Sequence, residues 1–201
     1  LFPYTTLFRS EINAEENLSV LLEALRERSY HPSSSVRFAA PKPKLREIFA
    51  ADFRDRIVHH LLVGYLEPFW EPVFIYDSFA SRRRKGIHLA AERVRGFTRK
   101  VSRNGSRPAH YIQLDIRNFF MRIDRGVLCD LVLNRCPDPE MAWLARLLIL
   151  HDPTRGYTLK SPRRMMSRIP PGKTLVGAAP NLGLPIGNLT SQFFANVYLD
   201  G

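Results

Sequence analysis

The chain has 201 residues and a hydrophobic fraction of 45%, enough for one ordinary domain or two small ones around a real core. Thirty Lys and Arg oppose nineteen Asp and Glu, a formal net charge of +11, and so basic a chain commonly meets a polyanion. No apolar run approaches transmembrane length and no signal peptide is legible; the two cysteines, Cys129 and Cys136, fit neither a zinc spacing nor a disulfide framework. A membrane span, a disulfide scaffold and a zinc module are therefore set aside, and a reducing, cytoplasmic setting is expected.

Residues 1–10, LFPYTTLFRS, lead poorly into the helical pattern after them. They resemble a translated sequencing adapter of the kind found at the ends of metagenomic contigs, and are left out of fold reasoning. Asn13 and Glu16 suggest a capping arrangement ahead of a helix whose apolar face is Leu18, Leu21, Leu22 and Leu25, ending near Tyr30. HPSSS reads as a loop. A short strand is expected at 46–49, then a helix with Ile57, Val58, Leu61 and Leu62 inward, broken by proline at EPFWEPVFIY. His59 and His60 fall in this apolar run and read as core or surface histidines rather than metal ligands. RRRKGIHLAAERVRGFTRKV starts as a basic loop and becomes a helix; VSRNGSRP is turn-like.

HYIQLDI alternates as a strand should, with Ile112, Leu114 and Ile116 on one face and Tyr111, Gln113 and Asp115 on the other. A helix is expected from about Asp138, with Pro139 in its first turn and Met141, Trp143, Leu144, Leu147 and Leu148 apolar. KSPRRMMSRIPPGKTLVGAAPN has poor periodicity and reads as a long basic loop or hairpin. LGLPIGNLTSQFFANVYLDG reads as a tight Gly/Pro turn feeding a helix. Helices and separate strands interleave without a βαβ rhythm, so the expected class is α+β.

Asp115 taken alone is a weak signal, because an Asp at a strand end is more often a turn former. Its neighbours carry more. QLDIRNFF…ID resembles the first palm motif of reverse transcriptases, and GLPIGNLTSQFFANVYLD resembles the next. KPKLREIFAADFRDRIVHHLL and YDSFASRRRKGIHLAAERV resemble two fingers motifs of the bacterial enzymes, so the likeness covers nearly everything after the first helix. Within the closing motif, Ile186-Gly187 and Ser191-Gln192 follow the IGxxxSQ pattern of reverse transcriptases from diversity-generating retroelements.

The resemblance implies the fingers and partial palm of a right-hand polymerase, an error-prone RNA-directed DNA polymerase. Residues 11–108 would hold the N-terminal helix and fingers, 109–128 the first palm motif, 129–180 a helix and basic loop, and 181–201 the second palm motif. The family's YxDD-type hairpin and thumb would come after 201, which marks the chain as a fragment expected to be inactive by itself. Asp115 would be the catalytic carboxylate and would bind Mg²⁺ with the backbone carbonyl of Ile116, two ions being expected in the full enzyme. Asp124 would be a turn residue. Phe120 would pack under the sugar of the incoming nucleotide. Lys44 and Arg46 would hold its triphosphate. Ile186, Gly187 and Gln192 would complete the nucleotide pocket, and Arg82, Arg83, Arg84 and Lys85 would track nucleic-acid backbones. The implied partners are template RNA, primer, deoxynucleotides and a small accessory protein of the retroelement, in a bacterial or phage setting with no membrane. Two alternatives stay open: a group II intron, retron or phage-defence reverse transcriptase, and a non-catalytic RNA-binding relative.

Overall fold

The computed structural model describes residues 13–200, so the adapter reading of residues 1–10 lies outside the described residues. The class is mixed α+β, as expected, and is compatible with a partial polymerase-like domain. In chain order the elements are α1 (Ala14–Arg26), β1 (Ser35–Ala40), β2 (Arg46–Ala50), α2 (Phe53–Trp70), α3 (Ile87–Val101), α4 (Phe119–Arg122), α5 (Arg125–Leu133), α6 (Pro139–Leu150), β3 (Tyr157–Leu159), α7 (Arg163–Met166) and α8 (Leu189–Asp200).

Four helices build the core. Val58, Leu62, Leu66 and Trp70 of α2 meet Leu128 and Val132 of α5, Leu144 and Ile149 of α6, and Phe193, Phe194 and Val197 of α8. The helix starts are chemically specified. Asp52 caps α2 through Arg54 N, Asp124 caps α5 through Gly126 N and Val127 N, and Asp138 caps α6 through Glu140 N and Met141 N, with Pro139 at its first position. Asp124 is thus a capping residue, in keeping with its expected place at a turn.

The sheet has the order β2-β1-β3. β1 and β2 form an antiparallel hairpin with Arg37 opposite Phe49 and Ala39 opposite Glu47; β3 runs parallel to β1, with Ser35 opposite Tyr157. A second, smaller cluster of Phe49, Met121 and Leu175 packs on this sheet, with Phe120 and Ile186 against it.

Several expectations are corrected. Asn13 makes no side-chain cap bond, and α1 stops at Arg26. Only Leu21 of its apolar face is fully buried, while Leu18 and Leu22 stay exposed. On α2, Val58 and Leu62 point inward but Leu61 is exposed. That helix also runs through Pro68 to Trp70. Pro68 and Gly64, the residue whose carbonyl loses its donor, both lie on the exposed face, where water can serve that carbonyl.

The largest correction concerns residues 110–116, expected as a strand. They belong to no helix or strand, and the one sheet among the described residues, β2-β1-β3, does not include them. Both faces are open: Tyr111, Ile112 and Leu114 are each at least 85% exposed. Alternation gives a chain the means to pair and bury one face, but it supplies no neighbour.

Candidate nucleotide-binding cleft

The closing turn is built by close approach. Gly187 has φ of 129°, a conformation that L side chains rarely adopt, and a Cβ there would lie 2.7 Å from Ile48 Cγ2 and 3.0 Å from the Phe49 carbonyl oxygen. The same turn extends the sheet edge, because Phe49 N donates to the Ile186 carbonyl at 2.9 Å. Ala51 N donates to Asn188 Oδ1 at 3.0 Å. Just upstream, Gly183 N donates to the Ile123 carbonyl and Leu184 N to the Phe120 carbonyl, both at 2.8 Å. Buried Arg125 adds Nε to the Gly183 carbonyl at 2.7 Å. The turn is therefore held from the sheet on one side and from the α4–α5 segment on the other.

The start of α8 is tied to two more elements. Buried His59 of α2 hydrogen-bonds Thr190 Oγ1 at 2.6 Å. Burial, with the positive fields of His151, His60 and Arg56, lowers its pKa to about 4, so it is neutral at pH 7. Ser81 Oγ donates to Gln192 Oε1 at 2.7 Å, and Asn196 Nδ2 donates to the Ala80 carbonyl at 2.8 Å. Gln192 thereby links the first turn of α8 to the basic loop after α2.

These segments enclose a cleft of about 500 Å³ lined by Lys44, Arg46, Asp115, Ile116, Phe120, Ile186, Gly187 and Gln192. Eight residues singled out in the sequence, from three separate stretches, thus share one cavity. Lys44, Arg46, Asp115 and Gln192 are exposed to it, whereas Phe120 and Ile186 are half-buried, each also packing on the Phe49 cluster. Phe120 stacks edge-on to Phe119, ring centroids 5.6 Å apart.

The basic loop divides differently. Arg82 does not face a polyanion: it is buried, with Nη2 2.7 Å from Glu71 Oε2 and Nη1 donating to the Ile75 and Ser78 carbonyls at 2.9 and 3.0 Å. It staples its loop to the end of α2, so its expected nucleic-acid role is corrected to a structural one. Lys85 donates to the Tyr76 carbonyl and lies over the Tyr76 and Phe79 rings. Arg83 and Arg84 are exposed, Arg83 lying 3.4 Å from Glu67.

Asp115 is the one carboxylate among the cleft-lining residues. Among the described residues no group of three or more His, Cys, Asp or Glu comes together to hold a metal. One carboxylate cannot by itself fill a divalent ion's oxygen shell, so any such ion here would need further oxygen ligands.

Sequence reasoning missed Glu47. It is 1% exposed, yet its carboxylate lies 2.6 Å from Arg37 Nη2, and it accepts from Thr174 Oγ1 at 2.8 Å and Leu175 N at 2.5 Å. The available signal was the glutamate's place two residues from Leu45 on one side and Phe49 on the other, the same-face spacing of a strand, where a charge persists only if paired. β1, β3 and α5 were also missed.

Among the described residues no helix is long and apolar enough to cross a membrane. No protein-family model matches the chain. The chain is 24% identical over 189 residues to the group II intron-encoded protein LtrA of Lactococcus lactis subsp. cremoris, covering 92% of this chain and 27% of that protein. It is 25% identical over 199 residues to Protein YkfC of Escherichia coli strain K12, covering 97% of this chain and 46% of that one. The chain thus spans between about a quarter and a half of the length of these relatives. At this distance the matches support a reverse-transcriptase-like relationship, the coarser of the two levels that the motifs implied.

Proposed function

We propose that this chain forms the fingers and part of the palm of an RNA-directed DNA polymerase of the diversity-generating type. The observation that carries the reading is the common cleft: three stretches distant in sequence bring two cations, one carboxylate, an aromatic ring and a glycine turn to one cavity of nucleotide size. Lys44 and Arg46 would take the triphosphate of an incoming deoxynucleotide, Phe120 its sugar, and the Ile186–Gly187 turn its base-pairing side. Asp115, with the Ile116 carbonyl, would contribute to a Mg²⁺ pair that is completed by other oxygens, those of the substrate among them. When bound, such ions activate the attacking hydroxyl and stabilise the leaving group. Template RNA and primer would lie along the basic surface that includes Arg83 and Arg84, and an accessory protein of the retroelement would be a further partner in the bacterial cytoplasm.

The test is primer extension on an RNA template by the full-length protein that contains this chain. Asp115→Asn should lower extension by more than about a hundredfold without moving the melting temperature, because Asp115 is exposed and has no structural partner among the described residues. Extension at the parental rate would sink the assignment.

The similarity to LtrA favours a second reading, a group II intron-type enzyme. Ile186 separates the two. A glutamine there could hydrogen-bond, while isoleucine offers neither donor nor acceptor. In the diversity-generating reading, Ile186→Gln lowers misincorporation opposite template adenine by up to about tenfold, the size of one hydrogen bond. Error spectra identical to the parent's would favour the intron-type reading.

A further inference from the structure

We infer that Lys173 is a third phosphate-binding cation of the cleft, and that Glu47 is the positioning residue that sets it beside Arg46. The inference deepens the nucleotide reading and rests on it.

Lys173 is exposed and lines the same cavity as Lys44, Arg46 and Asp115. It closes a single 3₁₀ turn, Pro171–Lys173, in the basic loop that has no periodicity of its own. What fixes this turn comes from outside it. On one side Gly172 abuts Asn118, where an added Cβ would lie 2.6 Å from Asn118 Nδ2. On the other side Thr174 Oγ1 and Leu175 N both donate to the Glu47 carboxylate, at 2.8 and 2.5 Å, and the Leu175 side chain is buried against Phe49 and Met121.

Glu47 directly succeeds Arg46 on β2. One buried carboxylate therefore anchors two backbones at once, each presenting a cation to the cleft at the adjacent position. Its own charge is balanced by Arg37, whose guanidinium binds the Oε1 that also accepts from Thr174. Among the described residues no carboxylate lies within ion-pair distance of Lys44, Arg46 or Lys173.

Three positive charges against the single negative charge of Asp115 suit a compact anion of several charges. The cavity volume, about 500 Å³, matches one small molecule rather than a stretch of duplex. A triphosphate meets both requirements, and a fixed lysine beside an arginine fork is a pairing suited to adjacent phosphate groups.

The probes are inorganic tripolyphosphate and dTTP, titrated calorimetrically into the purified 201-residue chain at constant salt, with an RNA–DNA hybrid as a third ligand. Lys173→Ala is expected to weaken tripolyphosphate and dTTP alike by roughly five- to twentyfold, the scale of one charge-assisted contact. Lys173→Arg should stay within about threefold of the parent. Thr174→Val, which removes one of the two bonds to Glu47, should weaken binding in the parent but add nothing to Lys173→Ala, and the melting temperature of each variant separates misplacement from unfolding. If Arg46→Ala weakens both probes and Lys173→Ala does not, the role of Lys173 is overturned and the nucleotide reading stands. If neither substitution changes binding, the nucleotide reading falls as well. Loss of hybrid binding alone in Lys173→Ala would put this lysine on a nucleic-acid backbone and overturn the triphosphate assignment.

Discussion

Gly187 and Asp115 line the same cleft, but the chain holds them in opposite ways. Gly187 sits where no side chain fits, between Ile48 and the Phe49 carbonyl, in a turn bonded to β2 through Ile186 and to the α4–α5 segment through Gly183 and Leu184. Asp115 sits on a segment that joins no strand or helix of the described residues and whose apolar side chains are exposed. One wall is over-determined by packing and hydrogen bonds; the other is fixed mainly where it enters α4. Cleft geometry on the Gly187 side should thus be sensitive to single substitutions, while the Asp115 side should tolerate them in stability and respond only in function.

The sharpest way to break the contrast is at Glu47. Glu47→Ala leaves Arg37, 13% exposed, without its carboxylate partner and releases Thr174 and Leu175, so a loss of about 3–5 kcal/mol is expected by urea denaturation. A loss under about 1 kcal/mol would mean that this wall is not held as described. Gly187→Ala comes next. The strained φ and the 2.7 Å approach to Ile48 should cost about 2–4 kcal/mol, read from the same unfolding curves.

The His59–Thr190 tie gives a pH-dependent version of the same test. His59 is held neutral down to about pH 4, whereas in the unfolded chain it takes a proton near its ordinary value of 6.5. Between those values the unfolded state binds more protons, so stability falls as pH falls from about 6.5 to about 4 and then levels off. The span corresponds to at most about 3 kcal/mol. His151, also lowered by burial, acts in the same direction. Buried Asp55, bonded to Tyr30 and Ser33 N, has its pKa raised and opposes them as the carboxylate range is reached. His59→Gln should flatten the acid limb of the stability curve; an unchanged acid limb would exclude His59 as its source. The smallest effect is expected on the other wall, where Ile112→Ser or Leu114→Ser should change stability by less than about 0.5 kcal/mol, since neither side chain is buried.

Where a feature depends on short-range chemistry, the sequence was a good guide. Asp138-Pro139 announces α6 because capping and a preset φ act within one turn. The IGNLTSQ stretch announces a turn and helix for the same reason, and its glycine falls where the backbone needs one. Eight of the residues that line the cleft were also legible, through motif resemblance rather than periodicity, but Lys173 was not. The other features needed the assembled fold. A strand requires a partner, so residues 110–116 alternate without pairing, while β1 pairs with β3 across more than a hundred residues that no local pattern connects. Charge in the sequence did not tell a buried arginine from an exposed one: Arg82 turned inward because Glu71 and two carbonyls converge on it, and Arg84 beside it did not. Glu47 gives the clearest case. Its position within a strand comes from local pattern, but its task, holding Thr174 and Leu175 from 127 and 128 residues away, exists only once those backbones meet. Local preferences are set by neighbours in the chain; burial, pairing and charge compensation are set by neighbours in space, and only folding supplies those.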